Sequence, residues 1–259
     1  MVNVNTFREL FLYWINMSRI LIMSDIHGNL SALNKIWETE KIEEFEGIVL
    51  LGDLIDYGPH SNEVVEKLKN LPKHKILVNI WGNHEKAVVD GDDSRFSSER
   101  GKKCAAHTRK MLTTQTMQYL ENEMDKSGHM EFELAGKKCL AVHGSAVDFF
   151  WKSISHGEDQ ETYKKYDYVF SGHSHIPHYF EHFYPAECKE YRNRKKTVFL
   201  NPGSVGQPRN HNANAQYAIL EPETMSVQMK AVSYDIEHEI AAFSDEVDSF
   251  YKERLRIGV

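Results

Sequence analysis

The chain has little cysteine, little proline, no long apolar run and no excess of basic charge. Its 259 residues include three cysteines, Cys104, Cys139 and Cys188, widely spaced and without a CxxC pair. An odd, scattered set makes no disulfide framework and points to a reducing compartment, so a cytoplasmic location is expected. Cys139 lies in a strand-like run and reads as a core residue. No segment carries the ~18 or more apolar residues needed to cross a bilayer, so no membrane association is expected. The formal net charge is −7, whereas a general nucleic-acid binder would show a basic face. The one dense basic cluster, residues 189–196 (KEYRNRKK), reads as a solvated hairpin tip and not as a nucleic-acid surface. Nothing in the sequence sets an oligomeric state.

Residues 7–15, FRELFLYWI, are apolar and aromatic. They lack the basic start, long apolar stretch and small-residue cleavage site of a secretory signal. Met17 stands directly before Ser18-Arg19-Ile20-Leu21-Ile22, which reads as a first strand. Residues 1–17 are therefore expected to be an N-terminal extension, with Met17 as the native start, ahead of one domain over 18–259. The alternative is a short helix packed on the surface. A chain of this length can bury a sizeable core, and no linker, repeat or low-complexity stretch divides it.

The first half alternates strand and helix signals. Ile20–Met23 is an apolar run that ends at Ser24-Asp25. Residues 30–42 place Leu30, Leu33, Ile36 and Trp37 at helical spacing. Gly47–Leu51 is a second buried strand, ending at Gly52-Asp53, and Ile76–Trp81 a third, ending at Gly82-Asn83. Between them, Ser61 and Asn62 can cap a helix that carries Val64, Val65 and Leu68. Two β-α-β units imply a parallel sheet with right-handed crossovers. Residues 86–128 break the rhythm. They are polar, charged and mostly helical in character, and read as an insertion and candidate cap. Strand signals then dominate, at 130–134, 138–142, 167–171, 197–200, 216–220 and 225–232, with short turns such as Ala135-Gly136-Lys137. Residues 235–256 read as one final helix. An α/β domain with two packed sheets and outer helices is the simplest architecture.

What the chain does contain is five short motifs in one order: Asp25-x-His27, Gly52-Asp53-x-x-Asp56, Gly82-Asn83-His84-Glu85, His143-Gly144 and Gly172-His173-x-His175. Each alone has an ordinary explanation. Asp25 can cap the helix that follows, Asp53 can belong to a turn ending in Gly58-Pro59, and a lone His143 at a strand end is more often structural. Gly172-His173-Ser174-His175 is the strongest single fragment, because two histidines after a strand read as a metal loop. Jointly the motifs supply carboxylates, an amide oxygen and imidazoles that suit a pair of divalent cations. Their position adds support: Asp25, Asp53 and Asn83 fall at the C-terminal ends of parallel strands, where open α/β sheets collect ligands. Asp25 and His27, two residues apart, would point to one side of an extended backbone. A tight turn at Gly28-Asn29 would let the backbone approach a bound anion, which makes Asn29 a candidate substrate-binding residue. A site that already holds two aspartates gains little from a third, so the neutral Asn83 is a reasonable ligand, which leaves His84 free for proton transfer.

Nine other histidines, His60, His74, His107, His129, His156, His178, His182, His211 and His238, have no matching context. His60, His107 and His211 can border a pocket, but surface placement is the first expectation for all nine. The loop Asn201-Pro202-Gly203-Ser204-Val205-Gly206-Gln207-Pro208-Arg209 follows another strand. It suits either a rigid turn or a cleft wall whose Arg209 pairs with phosphate.

With SDIHGN, GDLIDYGP, GNHE, VHGS, GHSHIP and NPGSVGQPR in this order, the chain resembles the calcineurin-like metallophosphoesterase superfamily over about residues 18–232, and most of all its small bacterial and archaeal phosphodiesterases of the YfcE type. The resemblance implies a four-layer α-β-β-α sandwich: two mixed sheets, helices on both outer faces, and a dinuclear centre between loops. Carried over by motif, Asp25, His27, Asp53 and His175 would hold one metal. Asp53, Asn83, His143 and His173 would hold the second, with Asp53 bridging. His84 would protonate the leaving oxygen or stabilise charge on the phosphate, and Asp56 would orient it. Protein serine/threonine phosphatases share GDxxD and GNHE but follow the aspartate with a phosphate-gripping arginine. Tyr57 stands there in this chain, which weakens that alternative and the related diadenosine polyphosphate hydrolases; Arg209 can supply the missing charge. GHSH has serine where threonine is common, without consequence for ligation.

Two cations ~3.5–4 Å apart can share a hydroxide that attacks phosphorus in line with the leaving alkoxide. The expectation is therefore hydrolysis of small phosphodiesters, and also of phosphomonoesters. A donor set of oxygen and imidazole without thiolate suits Mn²⁺, Fe, Zn²⁺ or Ni²⁺, with Mn²⁺ expected as the activating ion. A scaffold role would normally go with lost ligands, and none is lost here. Specificity is expected in the insertion 86–128, the loop 144–165 and the segment 201–212.

Overall fold

The computed structural model describes residues 19–185 and 195–259. The expected extension 1–17, Cys188 and all of the basic cluster except Lys195 and Lys196 lie outside them. Ten strands form two five-stranded sheets. In the first, β1 (Ile20–Met23), β2 (Gly47–Leu50) and β3 (Ile76–Asn79) run parallel, and β9 (Ala215–Glu221) and β10 (Ser226–Val232) extend it antiparallel from β1. The second has the order β4 (His129–Leu134), β5 (Lys137–Val142), β6 (Tyr168–Ser171), β8 (Lys196–Asn201), β7 (His178–Phe183). Here β5, β6 and β8 are parallel, and the edge strands β4 and β7 are antiparallel to their neighbours. Both sheets are mixed, as expected.

Strand β1 reads ILIM with no polar alternation because both of its faces are covered. Ile20 and Ile22 meet the second sheet, together with Val49, Leu51, Val78 and Ile80; opposite them lie Cys139, Ala141, Phe170 and Leu200. Leu21 and Met23 face the helices instead, against Leu33 and Ile36 of α1 (Leu30–Glu40), Val64 and Leu68 of α2 (Ser61–Lys69) and Leu120. The outer face of the second sheet presents Leu140, Val142, Val169 and Phe199. Ile154, Tyr163 and Tyr166 cover it, from a segment whose helical element is the 3₁₀ turn Glu161–Tyr163.

The insertion 86–128 divides between two tasks. Its last helix, α5 (Thr114–Asn122), belongs to the core: Tyr119 and Leu120 are buried, and Trp81 Nε1 donates to the Leu120 carbonyl at 2.6 Å. Arg95, Phe96, Ser97 and Ser98, between α3 (Asn83–Asp90) and α4 (Glu99–Met111), and Arg100 in the first turn of α4 border a cavity instead.

Three local readings are corrected. Ser61 and Asn62 do not cap α2. Ser61 Oγ accepts from the Asp56 backbone at 3.1 Å, and Asn62 Oδ1 accepts from Thr113 N and Thr116 Oγ1, so both are used for tertiary contacts. The final helix is two, α6 (Ile236–Ala241) and α7 (Ser249–Ile257), because Asp248 accepts from Phe250 N at 2.9 Å and starts a new helix. Strand β7 escaped the pattern: as a half-exposed edge strand, HYFEHF carries no apolar alternation. Among the described residues no helix is long and apolar enough to cross a membrane.

Candidate metal and active site

All six parallel strands end at one place between the sheets. Asp25 and His27 follow β1, Asp53 and Asp56 follow β2, Asn83 and His84 open α3 after β3, His143 follows β5, and His173 and His175 follow β6. The loop after β8 closes the set, with Ser204 Oγ donating to the Asp25 carbonyl at 2.7 Å. Among the described residues, seven of the eleven non-glycine residues with positive φ lie here: Asp25, His27, Asp53, Asp56, Tyr57, His173 and His175. Left-handed backbone costs on the order of 1–2 kcal/mol per residue and collects at functional sites. It also corrects one expectation. Asp25 and His27 are brought together by left-handed bends on either side of Ile26, φ 53° and 48°, not by extended backbone. Glycines make the close approach possible, for a Cβ at Gly82 would strike Asp53 Oδ1.

Two groups of donor atoms result. Asp25, His27, Asp53 and His175 form one; Asp53, His143 and His173 form the other, and within each the donors lie within 4.8 Å of one another. Asn83 Oδ1 joins the second, 3.0 Å from His143 Nε2 and 2.8 Å from His173 Nδ1. His27 Nε2 and His175 Nε2 face each other at 3.2 Å, and Asp53 Oδ2 lies 3.3 Å from His143 Nε2 and 3.7 Å from His27 Nε2.

The opposite side of each ring decides what these nitrogens can do. His27 Nδ1 donates to the Ile55 carbonyl at 3.2 Å, His143 Nδ1 to Leu51 at 2.7 Å, and His175 Nδ1 to Gln207 at 2.6 Å. A carbonyl only accepts, so the proton sits on Nδ1 and the Nε2 lone pair faces inward. Two carboxylate oxygens, Asp25 Oδ1 and Asp53 Oδ2, are buried without a hydrogen-bond partner. Inward lone pairs around orphaned anionic oxygens fit divalent cations, and no other protein group fills that need. Burial opposes a charge on His143, yet the adjoining Asp53 carboxylate raises its pKa to about 9, so a cation at Nε2 would take the place of a proton there. Burial and the charge of His143 lower His173 to about 4.

His84 stands apart from both groups. Its Nδ1 donates to Asp56 Oδ2 at 2.7 Å, and Asp56 Oδ1 accepts from Thr108 Oγ1 of α4 at 2.6 Å. Burial works against a charged His84, but Asp53 and the Asp56 hydrogen bond outweigh it and hold its pKa above the usual imidazole value. Glu85, beside it, binds four backbone N–H groups: Gly82 and Asp53 on Oε2, both at 2.8 Å, and Leu54 and Ile55 on Oε1, at 2.7 and 3.3 Å. Burial, then repulsion from Asp53, pushes the Glu85 carboxyl up to about 7, while the N–H donors favour its anion. Glu85 ties the Asp53 loop to α3. It was singled out in the motif but given no role; its place at the third position of a helix after a strand-end glycine is the signal that names it.

The centre opens into a cavity of about 610 Å³ bordered by Asp53, His84, His173, His175 and Arg209 on one side, and by Arg95, Arg100, Arg254, Trp151 and Phe250 on the other. Arg209 is placed as expected, with a buried Nε that has no partner. Asn29 is not. It is buried as the N-cap of α1: Oδ1 accepts from Ala32 N at 3.0 Å and Nδ2 donates to the Gly206 carbonyl and Tyr234 Oη. The backbone N–H groups of Gly28 and Asn29 are used as well, donating to the Leu54 and Ile26 carbonyls at 2.9 and 3.1 Å, and Asn29 does not border the cavity, so the structure gives the expected substrate contact no free donor there. Tyr57 borders the cavity with its ring 4.6 Å from that of His27. Arg254 and Arg100 had no motif to announce them, since they arrive on separate helices.

The comparisons with known proteins agree with this geometry. Residues 18–225 match the model of the calcineurin-like phosphoesterase superfamily domain. An uncharacterized protein of Methanocaldococcus jannaschii is 28% identical over 246 residues, covering 93% of this chain and 98% of its own length. Phosphodiesterase YfcE of Escherichia coli is 24% identical over 219 residues, 82% of this chain and 91% of its own. The crystal structure of a metallophosphoesterase from Sphaerobacter thermophilus superposes with a TM-score of 0.72 at 26% identity, covering 93% of this chain and 99% of that one. With its two mixed sheets, its strand-end motifs and a family match over most of its length, the chain belongs to the calcineurin-like phosphoesterase superfamily, the metal-dependent hydrolases of phosphoric esters.

Proposed function

We propose that the chain is a two-metal phosphodiesterase of small molecules that also accepts phosphomonoesters. One cation would be held by Asp25, His27, Asp53 and His175, the other by Asp53, Asn83, His143 and His173. The observation that carries the reading is the pair of orphaned oxygens, Asp25 Oδ1 and Asp53 Oδ2, set among imidazole nitrogens whose far sides are fixed by carbonyls. When bound, such a pair of ions activates water and neutralises phosphoryl oxygens. The chain's own groups do the rest. Arg209, with its unpartnered Nε in the cavity wall, receives a phosphoryl oxygen. His84 borders the cavity with Nδ1 held by Asp56, and the raised pKa favours the protonated form that would donate to the departing alkoxide. Mn²⁺ is the expected activating ion, with Fe, Zn²⁺ and Ni²⁺ as alternatives. The name of the E. coli relative supports a diester substrate. The buried free thiols of Cys104 and Cys139 support a cytoplasmic location.

The test is a panel of phosphomonoesters, phosphodiesters and cyclic nucleotides assayed with Mn²⁺, Ni²⁺, Mg²⁺ and Zn²⁺. Turnover of bis-p-nitrophenyl phosphate that requires added metal, is highest with Mn²⁺ and stops with chelator is the expected result. No turnover with any of the four ions refutes the reading.

A further inference from the structure

Away from the donor groups, the cavity wall is built from arginine and aromatic side chains. Four arginines border it, and Asp53 is the one carboxylate among the bordering residues. Arg95 is engaged with Asp148 at 2.7 Å. Among the described residues, Arg100 and Arg209 form no ion pair with a carboxylate, whereas Arg254 Nε donates to the terminal oxygen of Val259, the last residue. Arg100 and Arg254 converge on one ring: their guanidinium carbons lie 4.0 and 4.9 Å from the centre of Phe250. A line of rings leads there from the donor groups, with His27–Tyr57 at 4.6 Å, Tyr57–Tyr251 at 4.6 Å and Tyr251–Phe250 at 5.5 Å. The two guanidiniums on Phe250 thus border the cavity at the far end of this line of rings.

Guanidiniums brought to one mouth repel each other, and Arg100 has no carboxylate partner among the described residues to offset that cost. Burial, then the charge of Arg209, lowers the Arg254 pKa to about 10. An anion between the guanidiniums removes that cost, and guanidinium–phosphate pairs are among the stronger charge-assisted hydrogen bonds. We propose that Arg100 and Arg254, held on Phe250, form a second anion subsite, so that the substrate is a phosphoester carrying a further phosphate beyond the scissile one, its organic part lying along Tyr57, Tyr251 and Phe250. The proposal rests on the phosphoesterase reading for the place of the first phosphoryl group.

The test compares adenosine 5′-monophosphate with adenosine 3′,5′-bisphosphate by titration calorimetry on Mn²⁺-loaded protein in the His84→Ala background, where turnover is slow. The bisphosphate binds about tenfold or more tighter, the worth of one charge-assisted hydrogen bond. Adding Arg100→Gln and Arg254→Gln brings the two affinities to within about twofold. Arg100→Gln alone, at an exposed position, loses part of the preference and guards against a folding defect in the double change. Equal affinities in the parent protein, or a preference that survives both substitutions, overturn the subsite. Failure of the phosphoesterase reading registers separately, as absence of bis-p-nitrophenyl phosphate turnover by the wild-type chain with every metal, because the binding preference does not depend on turnover.

Discussion

Single hydrogen bonds decide the chemistry of this site. His84 can serve as an acid because Asp56 holds its Nδ1, and Asp56 is itself held by Thr108 Oγ1 at 2.6 Å. Removing that hydroxyl with Thr108→Val leaves a buried carboxylate oxygen unpaired. The expected loss in kcat is about tenfold, one charge-assisted hydrogen bond, with KM little changed. Thr108→Ser restores the rate; a valine variant at wild-type kcat would sever Thr108 from the reaction. His84→Ala removes the proposed acid. It should retain metal but lose about 10²–10⁴-fold on an alkyl phosphodiester, whose leaving group needs a proton, and much less on an aryl ester. Full alkyl activity would end the acid role. The motif residues were legible because donor type and strand-end position coincide in the sequence. Thr108 was not, since a threonine within α4 has no local sign that it faces Asp56, 52 residues earlier. Asn29 misled for the converse reason: Gly28-Asn29 looks the same whether the amide meets an anion or caps a helix, and only the approach of Gly206 and Tyr234 decides.

At the scale of elements, the buried runs gave the strands away and the partly exposed ones concealed theirs. β1, β2 and β6 carry continuous apolar runs because they are covered on both faces, whereas β7 at the sheet edge carries histidines and a glutamate. Phe170 on β6 is fully buried between the sheets. Phe170→Ala should cost about 3–5 kcal/mol in urea unfolding, and a loss below 1 kcal/mol would mean the two sheets are not held together there. The helix pair α1–α6 is joined by Glu239, whose buried carboxylate accepts from Leu30 N and Ser31 N at the start of α1, and from His60 Nδ1 at 2.9 Å. The Glu239 hydrogen bond is the first cause of the raised pKa of His60; burial opposes it. A raised folded-state pKa means that the pair's contribution is fully present below the unfolded value near 6.5 and fades as pH rises through the folded value. The stability difference between wild type and His60→Ala should therefore be larger at pH 5.5 than at pH 9. A difference that is flat or grows with pH contradicts the pairing. The split of the C-terminal helix was readable in principle from Asp248, a capping residue inside an otherwise helical pattern.

On the scale of the whole molecule, six parallel strand ends from two sheets meet at one point, and every motif sits on one of them. The order of motifs along the chain therefore predicted the site without predicting how the sheets pack. What lies outside the centre had no such order. Arg100 and Arg254 come from α4 and α7, more than half the chain apart, and only the packing of those helices brings them onto Phe250. A chain with net charge −7 thus carries a locally cationic mouth above an anionic centre. That centre hinges on Asp53, the one residue common to both donor groups. Metal content per chain, measured on the purified protein and on Asp53→Asn, is the most direct test. Two ions per wild-type chain, both lost together in the variant with phosphodiester turnover, is the result expected. Two ions retained by Asp53→Asn, or a wild-type chain that binds only one, would contradict a shared two-metal centre.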